Sequence, residues 1–357
     1  MPRLFATALP GLGPLVRREL QDHPGVTVHE VAREGRSDIV LFDVAEGARI
    51  PRPAAAEDCF VEVGRTLREE GDAAPWIARR LWRGSRVERG IELWRRLSHH
   101  RQPKLRYRVV VRVRQQRSFL RTELRRELAL AVQRDRAGWY EADPADLELW
   151  VAEHRPGAFI AGLRLTDAGM RQHGGRAVER KGALRPTVAA AMVRLAGRPS
   201  GILLDPCCGT GTILAEARSA GWEVRGTDLD QVAVAASRRN VGGATVEVAD
   251  LRSLPLADAS IGACVSNLPF GRTFDIPGDA DRWVREALTE LVRVVRPGGR
   301  IVLLTPQAPP KPALAGLRLR ERHPVLLLGV ATTIWVLERA GEAPPPGGTP
   351  RVSRRSA

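Results

Sequence analysis

The sequence predicts an α+β N-terminal half followed by an α/β C-terminal domain with a doubly wound parallel sheet. From residue 185 to about residue 340, apolar strands alternate with helical segments, which is the pattern of repeated strand–helix–strand units. Before residue 166, short strands and helices follow each other without that regularity. A chain of 357 residues is long for one domain, and these patterns divide it into two or three.

The N-terminal half is predicted to contain two units, 1–55 and 60–165. The first combines the strands "RLFATAL", "VTVHEVA" and "DIVLFDV" with the helix "GLGPLVRREL". In the second, the strand "YRVVVRVR" and the helix "RTELRRELALAVQRD" are prominent, and Pro156-Gly157 predicts a hairpin turn. The glycine-rich residues 166–184 are predicted to form a linker to the domain at 185–340, and the proline-rich residues 341–357 a disordered tail.

The composition indicates apolar cores and an anionic partner. Hydrophobic residues make up 43% of the chain, yet no apolar run approaches the roughly 20 residues of a membrane span. The N-terminus has no apolar signal-peptide core, so we expect a cytoplasmic protein. The net charge is +15, and residues 101–200 hold 21 basic and 10 acidic residues, whereas 201–250 hold 4 and 7. This positive middle favours nucleic acid as a partner.

Cysteines and histidines give no metal or disulfide pattern. The four cysteines, which are expected to be small buried hydrophobes, are Cys59, Cys207, Cys208 and Cys264. The histidines considered as ligands, which have no partners at ligand spacing, are His99, His100 and His173. We therefore assign no metal.

Two further groups of side chains have a structural and a functional interpretation. The tryptophans Trp76, Trp82 and Trp94 are expected to lie in a core rather than on an RNA-stacking surface. The arginines of one predicted strand, which face either phosphates or solvent, are Arg112, Arg114 and Arg117.

Four consecutive strands of the C-terminal domain end on a polar side chain. "GILLD" ends at Asp205, "WEVRGTD" at Asp228, "TVEVAD" at Asp250 and "ACVSN" at Asn267. Because the carboxyl ends of parallel strands share one edge of a sheet, these four side chains are expected to converge on one crevice.

The turn after the first of these strands, "DPCCGTGTIL", defines the kind of ligand. Gly209 and Gly211 allow the backbone to approach a ligand, and Thr212 opens the next helix. Leu214 occupies the position where a dinucleotide fingerprint needs Gly or Ala, and no Gly-Lys-Ser/Thr follows, which excludes a P-loop.

The aspartates at the strand ends suit three parts of one ligand. Asp205 suits an ammonium group, Asp228 a ribose diol and Asp250 the amino group of an adenine, which together describe S-adenosylmethionine. The structural alternative is that the glycines only make tight turns and the aspartates only cap helices.

Several motifs resemble those of one enzyme family. "LLDPCCGTGTILAEA" resembles motif I of the class I S-adenosylmethionine-dependent methyltransferases, which are Rossmann-like. "SNLPFG" is similar to their Asn/Asp-Pro-Pro-Tyr/Phe motif for methylating amino groups of bases. "LRPTVAAAMVRLAG" resembles the loop and helix before motif I in THUMP-domain methyltransferases, and the N-terminal half is similar to their ferredoxin-like and THUMP modules. Among them, the resemblance is strongest to the tRNA guanine-N2 methyltransferases of the acceptor stem.

The resemblance implies a set of residues that bind the cofactor S-adenosylmethionine. Those residues are Pro186, Thr187, Asp205, Cys207, Gly209, Gly211, Thr212, Asp228, Leu229, Asp250, Leu251 and Asn267.

It also implies a catalytic segment, Asn267, Leu268, Pro269 and Phe270. Two acceptors, the Asn267 side chain and the Leu268 carbonyl, would hold the two N–H bonds of an exocyclic amine and direct its lone pair at the methyl group. Pro269 stiffens the segment and Phe270 offers a face on which an extruded base stacks. Leu268 replaces the first proline of the family motif and Phe270 replaces tyrosine. The structural alternative is an ordinary turn with a core phenylalanine.

The predicted function is methyl transfer from S-adenosylmethionine to the N2 amine of a guanine in tRNA, at the sixth nucleotide of the acceptor stem. The expected partners are the 3′ end and acceptor stem of tRNA, with no membrane and no obligate protein partner evident. The alternatives are another tRNA or rRNA guanine, a DNA adenine or protein glutamine, and an RNA-binding protein whose methyltransferase domain has decayed.

Overall fold

Two β-sheets organise the protein in a computed structural model. The described residues are 2–33, 37–67, 73–113, 119–166, 172–173, 183–269, 279–306 and 314–341. Most of the predicted linker, nearly all of the predicted tail, and Arg114, Arg117 and Phe270 lie outside them. No helix within these ranges is long and apolar enough to cross a membrane.

Among the described residues, the first sheet has eight strands and spans both N-terminal units. Its strands are β1 (Arg3–Ala8), β2 (Val26–Ala32), β3 (Asp38–Val44), β4 (Asp58–Arg65), β5 (Arg106–Arg112), β6 (Tyr140–Glu141), β7 (Leu147–Arg155) and β8 (Ala158–Arg164). They lie in the order β2-β3-β1-β4-β8-β7-β5-β6. Because β1 pairs with β4, the predicted boundary near residues 55–60 falls between neighbouring strands of one sheet. The two-unit division stays a prediction.

Within the described residues, four helices pack on this sheet. They are α1 (Gly13–Gln21), α2 (Ala74–Leu81), α3 (Ser85–Ser98) and α4 (Arg121–Asp135). Trp82 and Trp94 are buried in the core between α2–α4 and the sheet, as expected from the sequence, and Trp76 is half-buried against it. The hairpin predicted at Pro156-Gly157 joins β7 to β8.

The second sheet has seven strands in the part of the chain that the structure describes. They are β9 (Ile202–Asp205), β10 (Glu223–Asp228), β11 (Thr245–Val248), β12 (Ile261–Asn267), β13 (Val295–Thr305), β14 (Leu317–Leu327) and β15 (Val330–Arg339). Their order is β11-β10-β9-β12-β13-β15-β14. Its helices are α5 (Pro186–Leu195), α6 (Thr212–Ser219), α7 (Gln231–Asn240) and α8 (Ala280–Val294).

The expectation of a wholly parallel sheet is wrong at one edge. The strands β9–β13 are parallel, but β15 is antiparallel to both β13 and β14. The cause is a tight hairpin whose two turn residues, Leu328 and Gly329, both have positive φ, at 49° and 81°. Such a turn reverses the chain within two residues, so β15 returns alongside β14 and fills the place next to β13.

The two sheets share one hydrophobic core. Leu12, Leu15 and Val16 of the N-terminal helix region belong to the same buried cluster as Met192 of α5 and Val325 of β14. The contact is polar as well: the Leu326 amide donates to the Pro10 carbonyl at 3.0 Å, and Arg18 pairs with Glu321 at 2.6 Å. The N-terminal half is therefore packed against the C-terminal domain.

Candidate active site at the carboxyl edge of the second sheet

Adjacent strands bring Asp205, Asp228 and Asn267 to one edge of the second sheet. β9 lies between β10 and β12, and all three strands run in the same direction. Each of the three side chains stands on the last residue of its strand. The fourth strand differs from the expectation, because β11 ends at Val248 and Asp250 follows two residues later.

The glycine turn between β9 and α6 is tied to the neighbouring strand. Gly209 and Gly211 have φ values of 51° and 84°. At Gly211 a Cβ would lie 2.6 Å from Ser237 Oγ, so only glycine fits there. Nothing lies within 4 Å of a Cβ built on Gly209, whose amide donates to Asp228 Oδ2 at 2.8 Å. The turn therefore presents backbone to open space while Asp228 fixes its position.

Asp205 lies beneath the turn and is 1% exposed. Its Oδ1 accepts hydrogen bonds from Ser266 Oγ at 2.8 Å and from the Cys207 amide at 3.3 Å. Burial raises the pKa of Asp205 to about 7, and the nearby Asp228 adds to the rise, while the two hydrogen bonds oppose it. A carboxylate in this environment is stabilised by a cationic group placed near it.

Asp205→Asn is expected to stabilise the unliganded protein at pH 8 by about 1–3 kcal/mol, because it removes a buried carboxylate. The folded protein holds the Asp205 proton up to about pH 7, whereas the unfolded chain releases it near 3.8. Raising the pH through this interval therefore lowers the free energy of unfolding of the wild type. In urea unfolding, the stability gain of Asp205→Asn over the wild type should become smaller as the pH is lowered toward 5. An equal gain at both pH values would contradict the assignment, and the exposed Asp258→Asn variant is the control.

Asp228 is half-buried at the crevice and keeps unused acceptor capacity. Its two oxygens each accept one backbone amide, from Gly209 and from Asp230 at 3.0 Å. A carboxylate has about four acceptor positions, so the remaining ones can take the two hydroxyls of a ribose.

Exposed apolar side chains flank this aspartate. Leu229 is 66% exposed and Val248, at the end of the next strand, is 53% exposed. The two side chains offer apolar surface on which the face of an aromatic ring could pack. The sequence analysis selected Leu229 but not Val248. What could have indicated Val248 is that it is an apolar residue at the end of a strand, where the neighbouring strands end on polar residues.

Asp250 is already engaged by a neighbouring arginine. Arg252 donates to both of its oxygens at 2.7–3.1 Å, and hydrogen bonding to that guanidinium holds the pKa of Asp250 below its ordinary value. Leu251 points into the core at 2% exposure. An adenine amino group would therefore meet an Asp250–Arg252 pair rather than a bare carboxylate. The sequence interpretation had missed Arg252.

The catalytic segment begins where β12 ends. Asn267 and Pro269 are half-buried, whereas the Leu268 side chain is buried in the cluster that contains Leu288 and Leu303. Leu268, which replaces a proline of the family motif, therefore anchors the segment by packing. Ser266, also missed from the sequence, is fully buried and links this segment to Asp205.

The remaining predicted cofactor residues lie around the turn and at the start of α5. Thr212 is buried at the first position of α6, and Cys207 is half-buried in the turn. Burial raises the pKa of the Cys207 thiol well above its ordinary value, so it is a poor nucleophile. Pro186 begins α5, and the Thr187 hydroxyl donates to Glu57 of the N-terminal half at 2.6 Å. Their role toward a cofactor stays a prediction.

Metal and thiol chemistry find no support in the described ranges. There, no three His, Cys, Asp or Glu side chains are grouped as metal ligands. Cys59, Cys208 and Cys264 are buried, as expected, and burial raises the pKa of each thiol.

Comparison with known proteins identifies the domain that carries this site. Residues 173–323 match the UPF0020 family, described as an RMKL-like methyltransferase domain. The chain is 32% identical over 190 residues to the U6 snRNA (guanine-N(2))-methyltransferase THUMPD2 of Bos taurus, a match that covers 50% of this chain and 34% of that protein. It is 33% identical over 168 residues to the tRNA (guanine(10)-N2)-dimethyltransferase of Methanothermobacter thermautotrophicus, covering 44% and 50%. The chain thus matches half or less of each relative's length.

A solved structure shares the fold of this chain. TrmN from Thermus thermophilus superposes with a TM-score of 0.71 at 24% identity, over 95% of this chain and 100% of that one. The glycine turn and the parallel strands β9–β13 lie within residues 173–323, whereas β15 lies beyond them. The resemblance to methyltransferases inferred from the motifs is confirmed over residues 173–323, which match the RMKL-like methyltransferase domain.

Proposed function

We propose that the protein transfers a methyl group from S-adenosylmethionine to the exocyclic N2 amine of a guanine in tRNA. The observation that carries the proposal is the convergence of Asp205, Asp228 and Asn267 around a glycine turn at one sheet edge. The relatives named above act on guanine N2 in U6 snRNA and in tRNA, which supports this choice of acceptor atom.

The residues at the edge fit the cofactor. Asp205 supplies the negative field for an ammonium group, Asp228 has free acceptor positions for ribose hydroxyls, and Leu229 with Val248 offers apolar surface for adenine. When bound, S-adenosylmethionine supplies an electrophilic methyl group on a sulfonium.

Asn267 and the segment after it hold the acceptor amine. The amine lone pair is delocalised into the base, and two acceptors on its N–H groups favour a nitrogen whose lone pair is free to react. The Asn267 side-chain oxygen and the Leu268 carbonyl supply those acceptors. The buried Leu268 side chain and the Pro269 ring fix the peptide, so the acceptors are in place before the base arrives. After transfer, the amine loses a proton to solvent.

The N-terminal half is proposed to read the RNA through ferredoxin-like and THUMP modules. A cavity of about 470 Å³ lies beside β5, and its lining contains five arginines and one tryptophan: Arg108, Arg112, Arg121, Arg125, Arg164 and Trp150. The Arg112 guanidinium lies 4.2 Å from the centre of the Trp150 ring. Carboxylates offset much of this charge, because Arg108 pairs with Asp143 and Glu148, Arg125 with Glu141, and Arg164 with Asp58 and Glu148.

The exposed arginines at this cavity favour a nucleic acid over a protein as the partner. Arg112 and Arg121 are exposed at this cavity, and Arg121 stands at the first position of α4. Guanidinium groups clustered in such a groove can bind the phosphates of a nucleic acid. Trp150 is buried beneath them, so the proposal rests on phosphate contacts and not on base stacking. A cytoplasmic location, where tRNA is modified, accompanies this proposal.

Replacing Arg112 and Arg121 together by alanine is expected to weaken tRNA binding by about tenfold at 0.1 M salt, since each phosphate contact releases counterions. The slope of log affinity against log salt should fall by about one per lost contact. Filter binding over a salt series measures both. Arg239→Ala, an exposed arginine on α7, is the matched control. If the double variant and the wild type bind tRNA equally tightly at every salt concentration, this cavity is not part of the RNA-binding surface.

One assay separates the alternatives. Methyl transfer from labelled cofactor to bulk tRNA, DNA or protein distinguishes the tRNA proposal from DNA adenine or protein glutamine methylation. No transfer to any of them, with tRNA still bound, would favour a non-catalytic RNA-binding protein. Digesting tRNA from a deletion strain would show whether the missing methylguanosine is the sixth nucleotide of the acceptor stem.

A further inference from the structure

Glu57 of the N-terminal half contacts the first turn of α5 in the methyltransferase domain. Its Oε1 accepts the Thr187 hydroxyl at 2.6 Å, and its Oε2 accepts Arg185 Nη1 at 2.9 Å. Thr187 is 1% exposed, and the Glu57 side chain is 19% exposed. A short hydroxyl–carboxylate bond that is shielded from water is among the stronger hydrogen bonds in proteins.

This turn lies at the sheet edge that carries the site. At the other end of α5, the Leu195 carbonyl accepts Arg300 Nη1 at 2.9 Å. In the second sheet, Arg300 of β13 lies opposite Ala263 of β12. Ala263 in turn lies opposite Leu203, the second residue of β9. Since a helix rises about 1.5 Å per residue, Thr187 lies about 12 Å along the axis from Leu195, toward the carboxyl end of β9. The helix also packs against α6, which begins at the glycine turn.

Glu57 is itself held firmly by the first sheet. Its amide donates to the Thr7 carbonyl at 2.7 Å, and Glu19 accepts the amides of Ala54 and Ala55 just before it. The next residue, Asp58, is buried and paired with Arg164. A carboxylate fixed on both sides can transmit the position of the first sheet to the start of α5.

We propose that Glu57 is a positioning residue for cofactor binding. It fixes the turn at Arg185 and Thr187, and through that turn the packing of α5 against α6 and the glycine turn. The N-terminal half thereby completes the cofactor site as well as holding RNA. This inference rests on the function proposed above.

Glu57→Ala is expected to weaken S-adenosylmethionine binding to the full-length protein by about tenfold, because a hydrogen-bonded charged group is lost. Glu57→Gln keeps an acceptor for Thr187 but loses the charge, so its loss should be about threefold. Thr187→Val should match the alanine variant, and the double variant should be no worse than either single one. The tRNA KM should change little, while the cofactor KM rises.

A matched control separates positioning from simple attachment of the two halves. Glu321→Gln removes the Arg18 ion pair, which joins the halves away from the site. Glu321→Gln should change the midpoint temperature of thermal unfolding, while the cofactor Kd measured by calorimetry should stay at its wild-type value. If Glu57→Ala and Glu57→Gln leave the cofactor Kd at its wild-type value, or raise only the tRNA KM, the positioning role is overturned and the proposed function stands. If the wild type binds no cofactor, the proposed function itself fails and this inference with it.

Discussion

Asn267→Ala is expected to slow methyl transfer by about a hundredfold or more, as when one preorganised polar group is removed from a site of developing charge. Asn267 ends β12, and the segment after it is anchored by the buried Leu268 side chain. Removing the amide therefore leaves the segment in place and deletes only one acceptor for the guanine amine. Cofactor affinity should change by less than threefold.

Single-turnover transfer of a labelled methyl group at saturating cofactor measures this effect. Asn267→Asp is the matched variant, since it keeps a side-chain oxygen and should retain more activity than the alanine variant. Calorimetry checks cofactor binding in both. An alanine variant that loses cofactor binding and keeps its rate per bound cofactor would mean that Asn267 does not hold the amine.

Asp228→Ala is expected to weaken S-adenosylmethionine binding by about a hundredfold, because charge-assisted hydrogen bonds to the ribose are lost at about 1.5–3 kcal/mol each. The loss has a second cause: Asp228 Oδ2 fixes the Gly209 amide at 2.8 Å, and the glycine turn loses that tie. The cofactor affinity of Asp228→Asn, which keeps one acceptor oxygen, should lie between those of the wild type and the alanine variant.

Isothermal calorimetry with the cofactor or its demethylated product measures this loss. Asp258→Ala, which removes a carboxylate paired with Arg293 at the far side of the domain, is the control and should bind as the wild type does. An Asp228→Ala variant with wild-type affinity would remove Asp228 from the ribose site.

The parts of the fold that depend on local pattern could be predicted from the sequence. The helix over Arg121–Asp135 and the strands ending at Asp205, Asp228 and Asn267 follow from hydrophobic periodicity and from polar residues at strand ends. The glycine turn was also predictable, because two glycines within three residues, shortly after a strand, favour a tight turn.

Features that depend on contacts distant in sequence could not be predicted. Ser266 bonds to Asp205 across 61 residues, and Thr187 bonds to Glu57 across 130 residues. Hydrophobic periodicity along the sequence does not indicate which distant polar groups will contact each other when the strands pair. The direction of β15 depended on a hairpin turn, Leu328-Gly329, that lacks the usual Asn-Gly or Asp-Gly signal.

The hairpin of β14 and β15 has a consequence for synthesis on the ribosome. Its tip covers the loop before α1, where a side chain at Gly11 would collide with the Pro324 carbonyl, and Arg18 and Glu321 stand 303 positions apart. At 5–20 residues per second, about 15–60 s pass between the translation of those two ends. Throughout that interval Leu12 and Val16 lack Val325, which belongs to the same buried cluster in the folded protein. The residues around α1 thus wait for residues about 300 positions later before their native surroundings exist.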